Sequence, residues 1–270
     1  MTTPDSATRL LDGKNAIIYG ASGFIGRGVA RAFARAGATL FLVGRTESSL
    51  QAVADEIAAN GGRAYVGVVD ALEERAVEQH ARSVVEKVGG IDVSFNLTTR
   101  GDVQGTPLLD MDVEDFLRPI ATGMRSNFIT ARAAAQHMVA RGSGVILMLN
   151  SGSGGPQVAT PPDVWPMGGT GPADAAMDTF IRYLAAEVGP RGIRVVGLWT
   201  AGVADPTRRG PGDEPDPLET MKDEIISPRA MLRRRATVPE VADAAAFLAS
   251  DRASAITACI VSVSSGLSVH

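Results

Sequence analysis

Gly20, Gly23 and Gly26 stand three apart in the stretch Tyr19-Gly20-Ala21-Ser22-Gly23-Phe24-Ile25-Gly26. The chemistry open to such a stretch is anion binding by the backbone. Gly20 allows a sharp turn and Gly23 lets N–H groups come close to a pyrophosphate. Gly26 removes a side chain where a helix must pack closely. Gly20, Ser22, Gly23, Phe24, Ile25 and Gly26 are therefore candidate cofactor contacts. About 20 residues further on, a dinucleotide site needs a ribose-contacting residue, and the chain has Gly44-Arg45. A carboxylate there would bind a 2′-hydroxyl, whereas the guanidinium of Arg45 suits a 2′-phosphate. This favours NADP over NAD. The structural alternative is that Arg45 is an exposed helix-entry residue. Asp70 suits either of two tasks, accepting from an adenine amino group or capping the next helix.

These residues need strand–turn–helix units to position them. Residues 15–19 are short, apolar and rich in β-branched side chains, the mark of a buried strand. Residues 27–36 place Val29, Ala30, Phe33 and Ala34 at helical spacing, with Gly37 as the stop. The alternation continues with strands at 38–43, 64–69, 91–96, 145–150, 193–198 and 258–263. Helices are expected at 46–58, capped by Thr46, and at 73–88, 113–140, 173–188 and 239–250. The helix at 113–140 should be interrupted near Pro119 and Gly123. Such alternation implies a parallel sheet covered on both faces. Residues 98–107 read as a loop at the carboxyl edge of the sheet and 151–155 as a flexible loop. Residues 201–228, rich in proline, glycine and charge, read as a lid-like irregular insertion or a surface excursion.

A chain of 270 residues with a 45% apolar share fits one domain with a large core. The net charge of −4 gives no basic surface for nucleic acid, and no Lys/Arg run suggests an anionic membrane. No apolar run is long enough to cross a bilayer, and the first residues lack the apolar core of a secretion signal. Cys259 is the single cysteine, which excludes an intrachain disulfide and a cysteine metal cluster; His80, His137 and His270 are scattered. A cytoplasmic protein without a metal is the expectation.

The order of several further motifs resembles the short-chain dehydrogenase/reductase family over nearly the whole chain. The glycine turn, Asp70, Ile91-Asp92-Val93 and Arg132-Ala133-Ala134-Ala135-Gln136-His137-Met138 carry the likeness. So do Ala185-Ala186-Glu187-Val188-Gly189-Pro190-Arg191-Gly192-Ile193-Arg194-Val195, Pro239-Glu240-Val241-Ala242 and Phe247-Leu248-Ala249-Ser250-Asp251. Phe24 stands where short members usually carry the second glycine. The resemblance implies a single-domain Rossmann fold over 1–270, a doubly wound parallel sheet of about seven strands with helices on both faces. It implies hydride transfer between a nicotinamide and a carbonyl or alcohol carbon of a small molecule. It also implies a homo-oligomer, tetramer or dimer, paired through the helices at 113–140 and 170–189. Asn96 joins the cofactor candidates, because Asn96-Leu97-Thr98-Thr99 stands where the family reads Asn-Asn-Ala-Gly.

The family's catalysis uses a tyrosine that exchanges the proton and a lysine that lowers its pKa and holds the ribose. A serine binds the substrate oxygen, and an asparagine supports a relay water. Registered from the flanking motifs, the serine is Ser151. The tyrosine position is Thr170, the lysine position Asp174 and the asparagine position Gly123. No Tyr-x-x-x-Lys occurs anywhere in the chain. A threonine hydroxyl does not ionise near neutral pH, and an aspartate would raise rather than lower a neighbouring hydroxyl's pKa. The candidate catalytic residues are thus Ser151, Thr170 and Asp174, with Ser153, Arg100 and Asp102 as substitutes. Asp174 is expected to accept from the nicotinamide ribose hydroxyls. Three functions fit: an NADP(H)-dependent oxidoreductase with a rebuilt site, a non-catalytic NADP-binding or regulatory protein, and a non-redox dehydratase, isomerase or cyclase using Asp174. The intact glycines favour the first two, and the missing tyrosine and lysine favour the last two.

Overall fold

Each strand sends apolar side chains to both sides, as a strand covered on both faces must. In β1 (Asn15–Tyr19), Ala16 and Ile18 enter one core layer while Ile17 and Tyr19 enter the other. The structure is a computed structural model that describes residues 9–153, 165–205 and 217–267. After β1 come α1 (Phe24–Arg35), β2 (Thr39–Gly44), α2 (Glu47–Ala59), β3 (Arg63–Val68), α3 (Glu74–Val88) and β4 (Val93–Asn96). The second half runs α4 (Val113–Arg141), β5 (Gly144–Asn150), α5 (Thr170–Val188), β6 (Ile193–Trp199), α6 (Pro217–Ile226), α7 (Val238–Ala249) and β7 (Cys259–Ser262).

The seven strands form one parallel sheet in the order β3-β2-β1-β4-β5-β6-β7. Helices α1, α2 and α7 supply the core on one face, and α3, α4 and α5 on the other. The chain reverses direction across the sheet between β1 and β4, where Tyr19 pairs with Asn96. Ligands of open α/β sheets bind outside the carboxyl ends at such a switch point. The glycine turn after β1, Arg45 after β2, Asp70 after β3 and Ser151 after β5 all lie at those ends.

Four local expectations are corrected. Helix α4 runs unbroken through Pro119 and Gly123. Pro119 is buried where the backbone of Gly169 seats on this turn, so close that a Cβ on Gly169 would lie 1.9 Å from the Phe116 carbonyl oxygen. That packing outweighs the single N–H lost at the proline. The 201–228 stretch is not wholly irregular, because Pro217 opens α6 and good helix formers follow; residues 206–216 lie outside the described residues. Thr46 precedes α2 without a capping hydrogen bond from its side chain, and α5 begins at Thr170 rather than 173. Part of the 151–155 loop, 154–155, also lies outside the described residues. Among these residues no helix is long and apolar enough to cross a membrane.

Candidate functional site

The glycine turn is as tight as its spacing implies. Gly20 has φ +73°, and a Cβ there would meet the Leu97 carbonyl oxygen at 2.6 Å. A Cβ on Gly26 would come within 2.1 Å of the Gly20 carbonyl oxygen, so helix and turn touch backbone to backbone. Gly23 is the N-cap of α1, and no side-chain hydrogen bond caps that end. The Gly23 N–H donates to the Gly20 carbonyl oxygen at 3.0 Å, which closes the turn, and the helix end that follows is the kind of place where an anion binds. Gly26→Ala is therefore expected to cost about 1–3 kcal/mol through overpacking and to lower cofactor affinity at least tenfold. Thermal melts and calorimetric titration of the variant check both.

A cleft of about 380 Å³ opens beside this turn. Gly20, Ser22, Gly23, Arg45 and Asp70 line one part of it, Arg100 and Arg118 another. Phe24 and Ile25 form the first turn of α1 beneath it. The Asp70 carboxylate accepts from Leu72 N at 3.0 Å, closing a local turn, while Glu73 takes the cap position of α3. One Asp70 oxygen is thus spent on the turn, and capping is not its task. Asn96 is buried, with Oδ1 accepting from Thr98 N at 3.0 Å and Thr98 Oγ1 at 2.7 Å, and Nδ2 donating to Ser126 Oγ at 3.3 Å. Its side chain holds the loop after β4 in place and reaches the cleft only through that loop. A glycine cradle that a Cβ would fill and a cleft beside it fit a nicotinamide dinucleotide.

Two of the three residues registered for catalysis, Ser151 and Asp174, are bonded to each other, and Arg100 joins them, while Thr170 bonds to Gln104 instead. Asp174 lies one turn into α5 and is 0% exposed. Its Oδ1 accepts from Arg100 Nη1 at 2.6 Å and from Ser151 N at 3.4 Å. Its Oδ2 accepts from Ser151 Oγ at 2.5 Å and Ser153 N at 2.9 Å. This corrects the expectation that Asp174 is open to ribose hydroxyls: both oxygens are occupied by protein donors. Arg100, only 11% exposed, also pairs with Asp102 through Nη2 at 2.9 Å and Nε at 3.3 Å. Burial works against its charge, yet the two carboxylates outweigh burial and hold the Arg100 pKa above its ordinary value.

Gly123 explains how Arg100 gets there. A Cβ at Gly123 would lie 2.7 Å from Arg100 Cδ, so the arginine stem crosses the space that an asparagine side chain would need. The cation that the family's pattern places on α5 is thus supplied here from the β4–α4 loop, against an aspartate on α5. Gly123, Arg100 and Asp174 form one linked set. Thr170, at the first position of α5, is buried; its Oγ1 accepts from Gln104 Nε2 at 3.2 Å, and Gln104 Oε1 accepts from Trp165 Nε1 at 3.2 Å. One turn beyond Asp174, Asp178 accepts from Asn150 Nδ2 at 2.7 Å and Trp199 Nε1 at 3.1 Å. Burial pushes the Asp178 pKa up despite those two donors.

Gln104, Trp165 and Asp178 carry no chemical signal in the sequence and were missed by it. Arg100 and Asp102 were legible only as substitutes. A stronger hint was available, since a glycine at the asparagine position makes room for a long side chain, and a buried aspartate such as Asp174 is often paired with a cation.

Comparison with known proteins agrees with the geometry. The family model described as enoyl-(acyl carrier protein) reductase matches residues 20–268. The chain is 33% identical to the oxidoreductase UcpA of Escherichia coli O157:H7, over 92% of this chain and 91% of that one. It is likewise 33% identical to galactitol 2-dehydrogenase (L-tagatose-forming) of Cereibacter sphaeroides, over 96% of both. The solved structure of 7α-hydroxysteroid dehydrogenase complexed with NADH and 7-oxo glycochenodeoxycholic acid superposes with a TM-score of 0.78 at 28% identity, over 98% of both chains. Seven parallel strands in family order, the glycine cradle and these matches together place the chain in the short-chain dehydrogenase/reductase family.

Proposed function

We propose that this chain is a cytoplasmic, NADP(H)-binding oxidoreductase-like protein for a small organic molecule, with Thr170 and Asp174 in place of the usual proton-transfer pair. The observation that carries the cofactor reading is Arg45 in the wall of the cleft that starts at the glycine turn. Gly20, Ser22, Gly23, Phe24, Ile25 and Gly26 would hold the pyrophosphate, Arg45 the 2′-phosphate, and Asp70 the adenine amino group, with the Asn96-braced loop closing over them. Bound NADP(H) supplies or takes up a hydride. The chain's own share is to orient it and to exclude water.

Calorimetric titration with NADPH and NADH tests this. A charge-assisted pair with the 2′-phosphate is worth about 1.5–3 kcal/mol. NADPH is therefore expected to bind at least tenfold more tightly, and Arg45→Ala to remove most of the difference. Equal affinities, or a preference for NADH, would overturn the assignment.

One observation favours a second reading, a non-catalytic cofactor-binding or regulatory protein. Asp174 is sealed by Arg100, and no described side chain takes over the proton-transfer task of the missing tyrosine. The non-redox reading loses its support for the same reason, because its carboxylate is fully committed.

The outer faces of α4 and α5 support a homo-oligomer, tetramer or dimer. Phe128 and Tyr183 are exposed there, with Phe128 leaning on Phe180 at 6.1 Å between ring centroids, and Val113 and Leu117 extend the apolar stripe along α4. Light scattering at micromolar concentration should give at least twice the monomer mass, and Phe128→Glu with Tyr183→Glu should shift it to the monomer. A monomeric wild type would refute this.

A further inference from the structure

The hydrogen-bond directions around Ser151 restrict what can sit on it. A serine hydroxyl has one proton to donate and lone pairs to accept with. Ser151 Oγ donates that proton to Asp174 Oδ2 at 2.5 Å. Asp174 forms an ion pair with Arg100 and also receives the Ser153 N–H, so it is a carboxylate and can only accept. Ser151 and Ser153 hydroxyls are 2.9 Å apart. With the Ser151 proton committed to Asp174, the Ser153 hydroxyl must be the donor of that bond. Neither serine keeps a proton to offer. Ser151 is partly exposed at the carboxyl end of β5, whereas Ser153 and Asp174 are buried, and what it presents outward is a lone pair.

We infer that the group seated on Ser151 is a hydrogen-bond donor, an alcohol hydroxyl or an ammonium, and not a carbonyl oxygen. This deepens the proposed function by naming the substrate's chemical class, and it rests on the reading of this sheet edge as a small-molecule site. A carbonyl oxygen seated on Ser151 Oγ would set acceptor against acceptor, and an acceptor left without a donor at that contact is disfavoured. A hydroxyl can donate to Ser151 and still accept from elsewhere. Asp174 is thus a positioning residue: it sets the polarity of Ser151 without touching the substrate.

The matched solvents 2-propanol and acetone test the inference, because they differ in little but the hydroxyl proton. Crystals of the full chain would be soaked in each at equal concentration. The expected result is 2-propanol with its oxygen within hydrogen-bond distance of Ser151 Oγ, no acetone oxygen on either serine, and loss of the 2-propanol in Ser151→Ala. Acetone seated on Ser151 or Ser153, neither solvent seated, or 2-propanol retained in Ser151→Ala would overturn the inference. NADPH titration of the same protein separates the two readings. Failure to bind NADPH beside intact alcohol selectivity would sink the cofactor assignment and leave the polarity of Ser151 standing.

Discussion

Arg100→Met is expected to destabilise the protein by about 3–5 kcal/mol, the usual cost of stripping one partner from a buried ion pair. In a domain of this size that lowers the melting temperature by roughly 10 °C. Asp174 is fully buried, and among the described residues Arg100 is the side chain that forms an ion pair with it. The Ser151 hydroxyl and two backbone N–H groups would remain on the carboxylate after the substitution, but none of them carries charge. Methionine fills the space over Gly123, so the loss is electrostatic more than steric. The double variant Arg100→Met with Asp174→Asn should regain most of the stability, since the uncompensated charge is gone. Chemical denaturation of wild type, both single variants and the double variant closes the cycle. A cost for Arg100→Met below about 1 kcal/mol, the range of exposed pairs, would mean that the pair does not hold this site together.

The second large effect concerns turnover. Wild-type protein is expected to reduce simple ketones and quinones with NADPH very slowly or not at all. General acid–base catalysis contributes about 10²–10⁴-fold, and the chain has no Tyr-x-x-x-Lys to supply it in the family's way. Thr170→Tyr with Asp174→Lys is the obvious repair, and the structure indicates why those two changes are not enough. A lysine at 174 would meet the Arg100 guanidinium, and a tyrosine at 170 would have to displace Gln104. An asparagine at 123 would collide with the Arg100 stem. Activity should therefore appear only when Arg100→Ala accompanies Gly123→Asn, Thr170→Tyr and Asp174→Lys, with a gain of about 10²–10⁴-fold over wild type. Steady-state assays of wild type, the Tyr/Lys pair and the fourfold variant decide it. Wild-type turnover of order 1–10³ per second, or full activity in the pair with Arg100 retained, would show that the chain uses a mechanism of its own at this site.

The glycine turn and the strand ends around the cleft were legible because their signals are local. A turn such as Gly20 to Gly26 is dictated by which residues lack a Cβ, and Arg45 and Asp70 follow from strand ends that apolar periodicity marks out. The parallel sheet covered on both faces followed from the alternation of elements. Helix boundaries were harder. Pro119 read as a break because its local preference is visible in the sequence, while the seat that Gly169 makes for that turn is not. For the catalytic half, the sequence showed that no Tyr-x-x-x-Lys is present, and Gly123, Thr170 and Asp174 were the positions registered for the family's asparagine, tyrosine and lysine. What replaced them depends on contacts between residues far apart in the chain, Arg100 with Asp174 and Gln104 with Thr170. The same separation led to the expectation that Asp174 would be open to a ribose. A carboxylate's reach can be guessed from its type, but its partners are set by the fold.

The crystal structure of the NADP(H) complex tests the central claim most directly. The account predicts the 2′-phosphate against Arg45, the pyrophosphate on the turn from Gly20 to Gly26, and Asp174 still bonded to Arg100 and Ser151 beneath the nicotinamide. A complex in which Arg45 makes no contact with the cofactor, or in which Asp174 has left Arg100 to hold the ribose hydroxyls, would contradict it.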